Sequence, residues 1–366
     1  MLALFVGVAT LVCAEGVLRV ALFSDYVRVE GLRDPRLFGD YRSDQVFWKL
    51  QTLFLKPDER KPGPARHPIL GWRGSLFSDD FVHRDEASMG NRRPILLFGD
   101  SFAACATPPE DCFQGLFTRS ERGQEEALLN YGVGGYGVDQ VSLLMQRVVN
   151  RLSWQRPVVI VSVLWGDDFN RCGLEFRNWP KPKFQLSDTE GLELLLPSHG
   201  VEDRWLEENP PNVTSYLWRW YLYGSTLPPW NYRMNIRSKE RRRRVEALRP
   251  VCEELTRSMC RFLQDRADEV DFFFLLLPSL PDLERPSSLA IEGISKRPID
   301  WGEELLEEVL TELSVPFVNA RKEFTQAFAQ GQKLGSFFRP GDGHYNPEGN
   351  EVAFRALLRG LATFVD

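Results

Sequence analysis

A serine hydroxyl attacks a carbonyl carbon only when a base takes its proton, and histidine, titrating near neutral pH, is the side chain suited to that task. Ser101 stands in a Gly99-Asp100-Ser101-Phe102 turn directly after the apolar run 95–98. This predicts a hydroxyl at the end of a strand, with its own N–H at the start of the next helix, where backbone donors are free. The chain has four histidines: His67, His83, His199 and His344. His344 has the most informative setting, Gly341-Asp-Gly-His-Tyr-Asn-Pro-Glu-Gly349, with Asp342 two residues ahead on the same loop. A carboxylate so close can hold the ring's Nδ1–H and stabilise the imidazolium while Nε2 exchanges a proton with the serine. Together these are the tools of nucleophilic acyl transfer. Each fragment alone is a weak signal, because Asp-Gly turns are commonplace.

The elements that must position these residues show as an alternation of strand and helix patterns. Apolar runs at 95–98, 127–130, 158–164, 270–277 and 315–319 predict five strands. Helical spacing appears at 138–152, at 300–313 with Asp300 as its N-cap, and at 347–364 with Pro347 and Glu348 in the first turn. Strands alternating with helices predict an α/β protein, a three-layer sandwich whose parallel sheet is covered on both faces. Ligands of such sheets lie outside the carboxyl ends of the strands. The turn at Ser101, the glycine cluster 130–137 and Trp165-Gly-Asp-Asp168 all fall there.

Residues 170–269 interrupt the alternation and carry Trp179, Trp205, Trp218, Trp220 and Trp230. They read as an inserted helical cap on a main domain spanning 91–366. Its aromatics read as the cap's own core, ahead of a sugar-stacking platform or a membrane-facing rim. Residues 24–90, punctuated by Lys61-Pro-Gly-Pro64 and His67-Pro68, read as a linker and an elaboration packed on that domain.

Residues 1–23 stand apart. No charge precedes Glu15, and apolar residues resume after Arg19 as far as Phe23. A spanning helix needs about 20 apolar residues, so this is a short span, read as an uncleaved membrane anchor with the bulk of the chain extracytoplasmic. No positive region precedes it as in a secretory signal, and Thr10-Leu11-Val12 lacks the small residue a lipid-modified Cys13 would want before it. A buried core helix is the bland alternative. The net charge of −6 excludes the basic stripe of a nucleic-acid binder. The run Arg241–Arg244, set among glutamates, reads as a solvated helix face, with a phosphate or lipid-headgroup patch as the rival.

Of six cysteines no two have CxxC spacing, so no zinc site is predicted. Cys105 and Cys112 flank a Pro-Pro loop; they close a short disulfide in an oxidising compartment or remain buried thiols. Cys252 and Cys260 lie two helical turns apart, too far to bond to each other. Asp139-Gln140 at a helix start reads as a cap, and the Asn212-Val-Thr sequon carries little weight by itself.

The pattern as a whole resembles the SGNH/GDSL hydrolase superfamily. Gly99-Asp100-Ser101-Phe102 resembles its first block, and Asn130-Tyr-Gly-Val-Gly-Gly135-Tyr-Gly its second. Leu164-Trp-Gly-Asp167-Asp168 resembles its third, and Asp342-Gly-His344-Tyr-Asn-Pro its fifth. The segment His67-Pro-Ile-Leu-Gly-Trp72 is similar to the approach segment of membrane-anchored bacterial members. Four blocks in the family's order cover about 92–364 apart from the insert. The resemblance implies a flavodoxin-like five-stranded sheet and serine esterase or acyltransferase chemistry without a cofactor or metal. Ser101 would be the nucleophile, His344 the proton shuttle and Asp342 its orienting carboxylate. The N–H groups of Ser101 and Gly135 would form the oxyanion hole. The implied partner is a small-molecule or polysaccharide acyl ester, plausibly O-acetyl on a surface polysaccharide.

One position departs from the family. Its third oxyanion donor is an Asn side chain, and Asp167 matches that place. An ionised carboxylate only accepts. Held about 4 Å from a developing oxyanion it costs about 4 kcal/mol at an effective dielectric near 20. Either Asp167 is protonated and donates, or another group donates, or the site is impaired and only binds ligand. A cap at the strand end is the bland role for Asp167. The rival function is therefore a carbohydrate-binding or assembly protein on the same fold. A nucleotide binder is set aside, since the glycines lack GxGxxG spacing and there is no Walker lysine.

Overall fold

A computed structural model describes the chain except for residues 25, 27–28, 42–43, 56–64, 153–155, 188–190, 198–201, 229, 285–300 and 365–366. His199, Asp300 and the Lys61–Pro64 punctuation lie outside the described residues, as does the side chain of Trp230.

Five parallel strands form one sheet: β1 (Arg93–Phe98), β2 (Glu126–Asn130), β3 (Val158–Leu164), β4 (Asp271–Leu277) and β5 (Phe317–Asn319). The spatial order is β2-β1-β3-β4-β5, the flavodoxin-like order, with its switch point between β1 and β3. The longest pairing, β3 with β4, runs from Val158 opposite Asp271 to Leu164 opposite Leu277. Side chains alternate in and out along each strand. Leu96 and Phe98 of β1 enter one core, with helices Val138–Arg151 and Trp301–Glu312 and the end of helix Trp230–Gln264. Ile95 and Leu97 enter the other, with Phe113–Arg119, Arg321–Ala329 and Pro347–Leu361. Both faces are thus buried, which is why the strands read as continuous apolar runs. Each fully buried Leu, Ile or Val contributes roughly 1.5–3 kcal/mol.

The insert opens with two antiparallel hairpins, Phe176–Arg177 with Trp179–Pro180 and Lys183–Ser187 with Gly191–Leu195. Helices Glu202–Glu208, Tyr216–Tyr223 and Trp230–Gln264 follow. Trp205 is buried and stacks on Phe176 at 5.0 Å, as the cap's own core requires; Trp218 is exposed.

The N-terminal helix, Leu2–Phe23, is long and apolar enough to cross a membrane, and only Ala21 and Leu22 are buried along it. Its last turns are fastened to the insert. Glu15 accepts from Ser215 Oγ and from the N–H groups of Tyr216 and Leu217, each at 2.9 Å, capping helix Tyr216–Tyr223. Arg19 donates to the carbonyls of Val213 and Thr214. A disulfide joins Cys105 and Cys112 beside the helix that begins at Ser101; Cys172, Cys252 and Cys260 are buried free thiols.

Candidate active site

Ser101 is the first residue of the short helix Ser101–Ala104, one residue beyond the turn that ends β1. Asp100 caps that helix, its Oδ1 accepting from Phe102 N at 2.8 Å. Gly99 allows the tight exit from the strand, since a Cβ there would lie 2.7 Å from the Cβ of Ala103. The structure brings Ser101 and His344 together: Oγ and Nε2 are 2.9 Å apart across 243 residues of sequence.

The His344 loop is pinned on both sides of the ring. Arg339 N donates to the His344 carbonyl at 2.7 Å, and Tyr345 OH donates to the Pro278 carbonyl at 2.6 Å. The Tyr345 ring packs edge-on against Phe102 at 4.7 Å, and the imidazole lies 5.1 Å from the same phenyl. Asn346 caps the closing helix, its Oδ1 accepting from Gly349 N at 2.9 Å. Asp342 is present but less tightly engaged with the ring. Its Oδ1 is 3.5 Å from His344 Nδ1, and that nitrogen has no hydrogen-bond partner. The carboxylate instead accepts from His344 N at 2.9 Å and pairs with Arg339 Nη1 at 3.0 Å.

Gly135 stands in the loop after β2 with φ of +85°, where a side chain would be strained. Asn130 starts this loop: its Oδ1 accepts from Gly132 N at 2.9 Å and its Nδ2 donates to Ala103 O at 2.7 Å. Trp72 Nε1 donates to Gly134 O at 3.2 Å. In a trans peptide the N–H points opposite to the C=O, so this bond turns the Gly135 N–H to the far side. Among the described residues the N–H groups of Ser101, Gly134 and Gly135 donate to no acceptor. The turn 67–72 is thereby part of the site's foundation; Gln140 Nε2 secures it through the Leu70 carbonyl at 2.8 Å.

Asp167 and Asp168 open the helix Trp165–Cys172 after β3. Of the two, Asp168 is the cap, its Oδ2 accepting from Leu164 N at 2.8 Å. Asp167 turns toward Arg171, whose Nη2 lies 3.3 Å from Oδ2. Arg171 is buried and saturated: Nη1 donates to Asp100 Oδ2, Asp168 Oδ1 and the Tyr136 carbonyl at 2.8–2.9 Å. Burial works against that cation, yet the carboxylates of Asp168, Asp167 and Asp100 hold its pKa above the ordinary value. Burial, and then the charge of Asp100, push Asp168 well up from the usual carboxylate range, with Arg171 opposing. Asp139 does more than cap its helix, since it is buried in an ion pair with Lys181 of the insert.

Sequence reasoning missed Arg171 and Arg177. Arg171 left a signal, four residues after Asp167 and three after Asp168, the spacing of a helical ion pair. Arg177 left none, because the insert hairpin alone brings it to the site.

No family model and no curated protein matches the sequence. Among solved structures, the chain is similar to a member of the lipolytic protein G-D-S-L family from Veillonella parvula, at 12% identity and a TM-score of 0.40, over 75% of this chain and 100% of that one. It is also similar to an acetylxylan esterase from Geobacillus stearothermophilus, at 12% identity and 0.37, over 75% and 95%. An α/β hydrolase enzyme from the metagenome of Lake Arreo, Spain, matches at 13% and 0.38, over 75% and 97%. These likenesses are of chain path alone. The chemistry rests on side-chain geometry.

Proposed function

We propose that the chain is a serine ester hydrolase or O-acyltransferase of the SGNH/GDSL type, held at a membrane by its N-terminal helix with the sheet domain extracytoplasmic. Its substrates are acyl esters, O-acetyl groups of surface polysaccharide among them. One observation carries the reading: the 2.9 Å contact between Ser101 Oγ and His344 Nε2, beside backbone N–H groups that donate to nothing. The N-terminal helix and the Cys105–Cys112 disulfide support the location, since disulfides persist in oxidising compartments.

In this reading Ser101 Oγ bonds to the acyl carbon as His344 Nε2 takes its proton. The N–H groups of Ser101 and Gly135 receive the oxyanion, and Asp342 steadies the imidazolium. Collapse breaks the bond to the alcohol, which leaves with the proton from Nε2. Water, or a sugar hydroxyl in the transferase case, then gives its proton to Nε2 and attacks the acyl carbon. The bond to Oγ breaks and Oγ regains its proton.

The test is labelling with a fluorophosphonate, which captures activated serines. The wild type labels and Ser101→Ala does not. A second reading, a protein that binds carbohydrate without turnover, is favoured by the Asp167 carboxylate near the would-be oxyanion. A wild type that never labels supports it, as does a large gain of esterase activity in Asp167→Asn.

A further inference from the structure

Asp167 accepts from Arg171, so it is not placed to donate to an oxyanion, and Arg171 has its own donors committed to three carboxylates and a carbonyl. Beside them stands a second guanidinium whose donors are not committed. Arg177 comes from the first hairpin of the insert, paired with Trp179 across a turn in which Asn178 has φ of +65°. Its Cζ lies 4.7 Å over the ring of the buried Trp48. Among the described residues it has no hydrogen bond and no ion pair.

Its position is fixed by what it touches. A Cβ added to Gly135 would lie 2.1 Å from Arg177 Nη1 and 3.0 Å from Cζ, so the guanidinium rests against the Gly135 backbone. The neighbouring Gly134 faces the nucleophile, a Cβ there lying 4.0 Å from Ser101 Cβ. Gly135 therefore does two things: its φ needs a residue without a side chain, and its bare face admits the arginine. Burial, then repulsion from Arg171, draw the Arg177 guanidinium down to about 9, the direction expected of a cation without an ion-pair partner; at neutral pH it stays charged.

We infer that Arg177 supplies the side-chain donor to the oxyanion that forms beside Gly135 when Ser101 attacks an ester carbonyl, the donor that Asp167 does not provide. This rests on the serine-ester reading above. It also accounts for a carboxylate so near the hole. Asp100, Asp167 and Asp168 share one saturated arginine, Arg171, and Arg177 adds the cation that a further negative charge at this spot requires. Trp48 holds the guanidinium plane by its face, leaving the N–H edges for the oxyanion.

The test compares wild type, Arg177→Met and Arg177→Lys on p-nitrophenyl acetate, a neutral ester whose one developing anion is the oxyanion. Losing an oxyanion donor costs about 10²–10³-fold in kcat. We expect that loss in Arg177→Met with KM within about twofold, an intermediate rate in Arg177→Lys, and partial recovery of Arg177→Met in millimolar guanidinium chloride. Thermal unfolding of each variant checks that it is folded. If Arg177→Met does not fold, Arg177→Lys is read against wild type by its inhibition constant for a boronic acid, which mimics the tetrahedral adduct and should rise at least tenfold. A wild type active on the ester, with kcat unchanged in either folded variant, overturns the inference and leaves the serine reading intact. A change confined to KM, or seen only with esters that carry a carboxylate, also overturns it. A wild type that neither labels nor turns over brings down the parent reading itself.

Discussion

In the segment 65–86 the rings of His67 and His83 are bonded at both nitrogens, whereas in the loop 339–346 the ring of His344 is bonded at one. His67 Nδ1 accepts from the N–H groups of Ile69 and Leu70 at 3.2 Å, and its Nε2 lies 3.3 Å from Asp79 O. His83 repeats the arrangement, Nδ1 accepting from Asp85 N and Nε2 facing Asn130 O, each at 3.2 Å. A nitrogen that accepts a backbone N–H carries no proton, so both rings are neutral with the proton on Nε2. Burial lowers the pKa of each, which keeps them that way. His344 is the opposite case. Its Nε2 meets a hydroxyl, its Nδ1 is unbonded, and its side chain is 28% exposed. A ring that must gain and lose a proton needs a nitrogen whose partner can change, and only the third histidine has one. The same side chain serves as a strut in one region and as a proton carrier in the other because of which nitrogen the backbone claims.

The largest effect expected from this contrast is a crossed pattern of losses. Ser101→Ala or His344→Asn should lower kcat for an ester by about 10⁴-fold or more while leaving the urea midpoint close to wild type. His83→Asn should do the reverse. It removes a strut beneath Asn130, whose amide organises the Gly132 turn, and costs about 1–3 kcal/mol of stability. Equal activity losses at the two positions would erase the distinction.

A smaller effect sharpens the account of His344. Asp342 is 40% exposed and already shared between a backbone N–H and Arg339, with 3.5 Å to Nδ1. A carboxylate at that distance orients the ring less firmly than one that is buried and bonded. Asp342→Asn should therefore cost about 10–10²-fold in kcat, well short of the serine substitution. A loss as deep as that of Ser101→Ala would mean the loop closes onto Nδ1 once substrate is bound.

How much of this was legible in the chain follows from how local each feature is. The five strands announce themselves because both sheet faces are buried. The Ser101 turn and the His344 loop follow directly on strand or precede the closing helix, so their place at the sheet edge needs no long-range knowledge. The pairing of Asp167 and Asp168 with their partners was not legible. Adjacent residues on a helix point about 100° apart, and only packing decides which reaches back to the strand end and which faces the site. Arg177 was less legible still. Its contact with Gly135 exists because an insert hairpin folds over a loop some forty residues earlier, and neither sequence segment names the other.

The smallest predicted effect is one of pH on stability, and its sign follows from the struts. The pKa of His83 in the folded chain is lowered by burial, below the value of about 6.5 it takes when unfolded. As pH falls past that value the unfolded chain takes up the proton first, so stability drops through the window between the two pKa values and then levels off. The buried carboxyls of Asp139 and Asp168 pull the other way, since their pKa values are raised by burial, and the wild-type curve alone mixes both. The difference between wild type and His83→Asn isolates the ring, because the carboxyl contributions are common to both. Urea midpoints from pH 8 to pH 5 should show the wild-type advantage full above about 6.5 and shrinking below it. A gap that stays constant or widens on acidification would mean that the folded protein protonates this histidine as readily as solvent does. The ring would then be no fixed strut, and its difference from His344 would reduce to position alone.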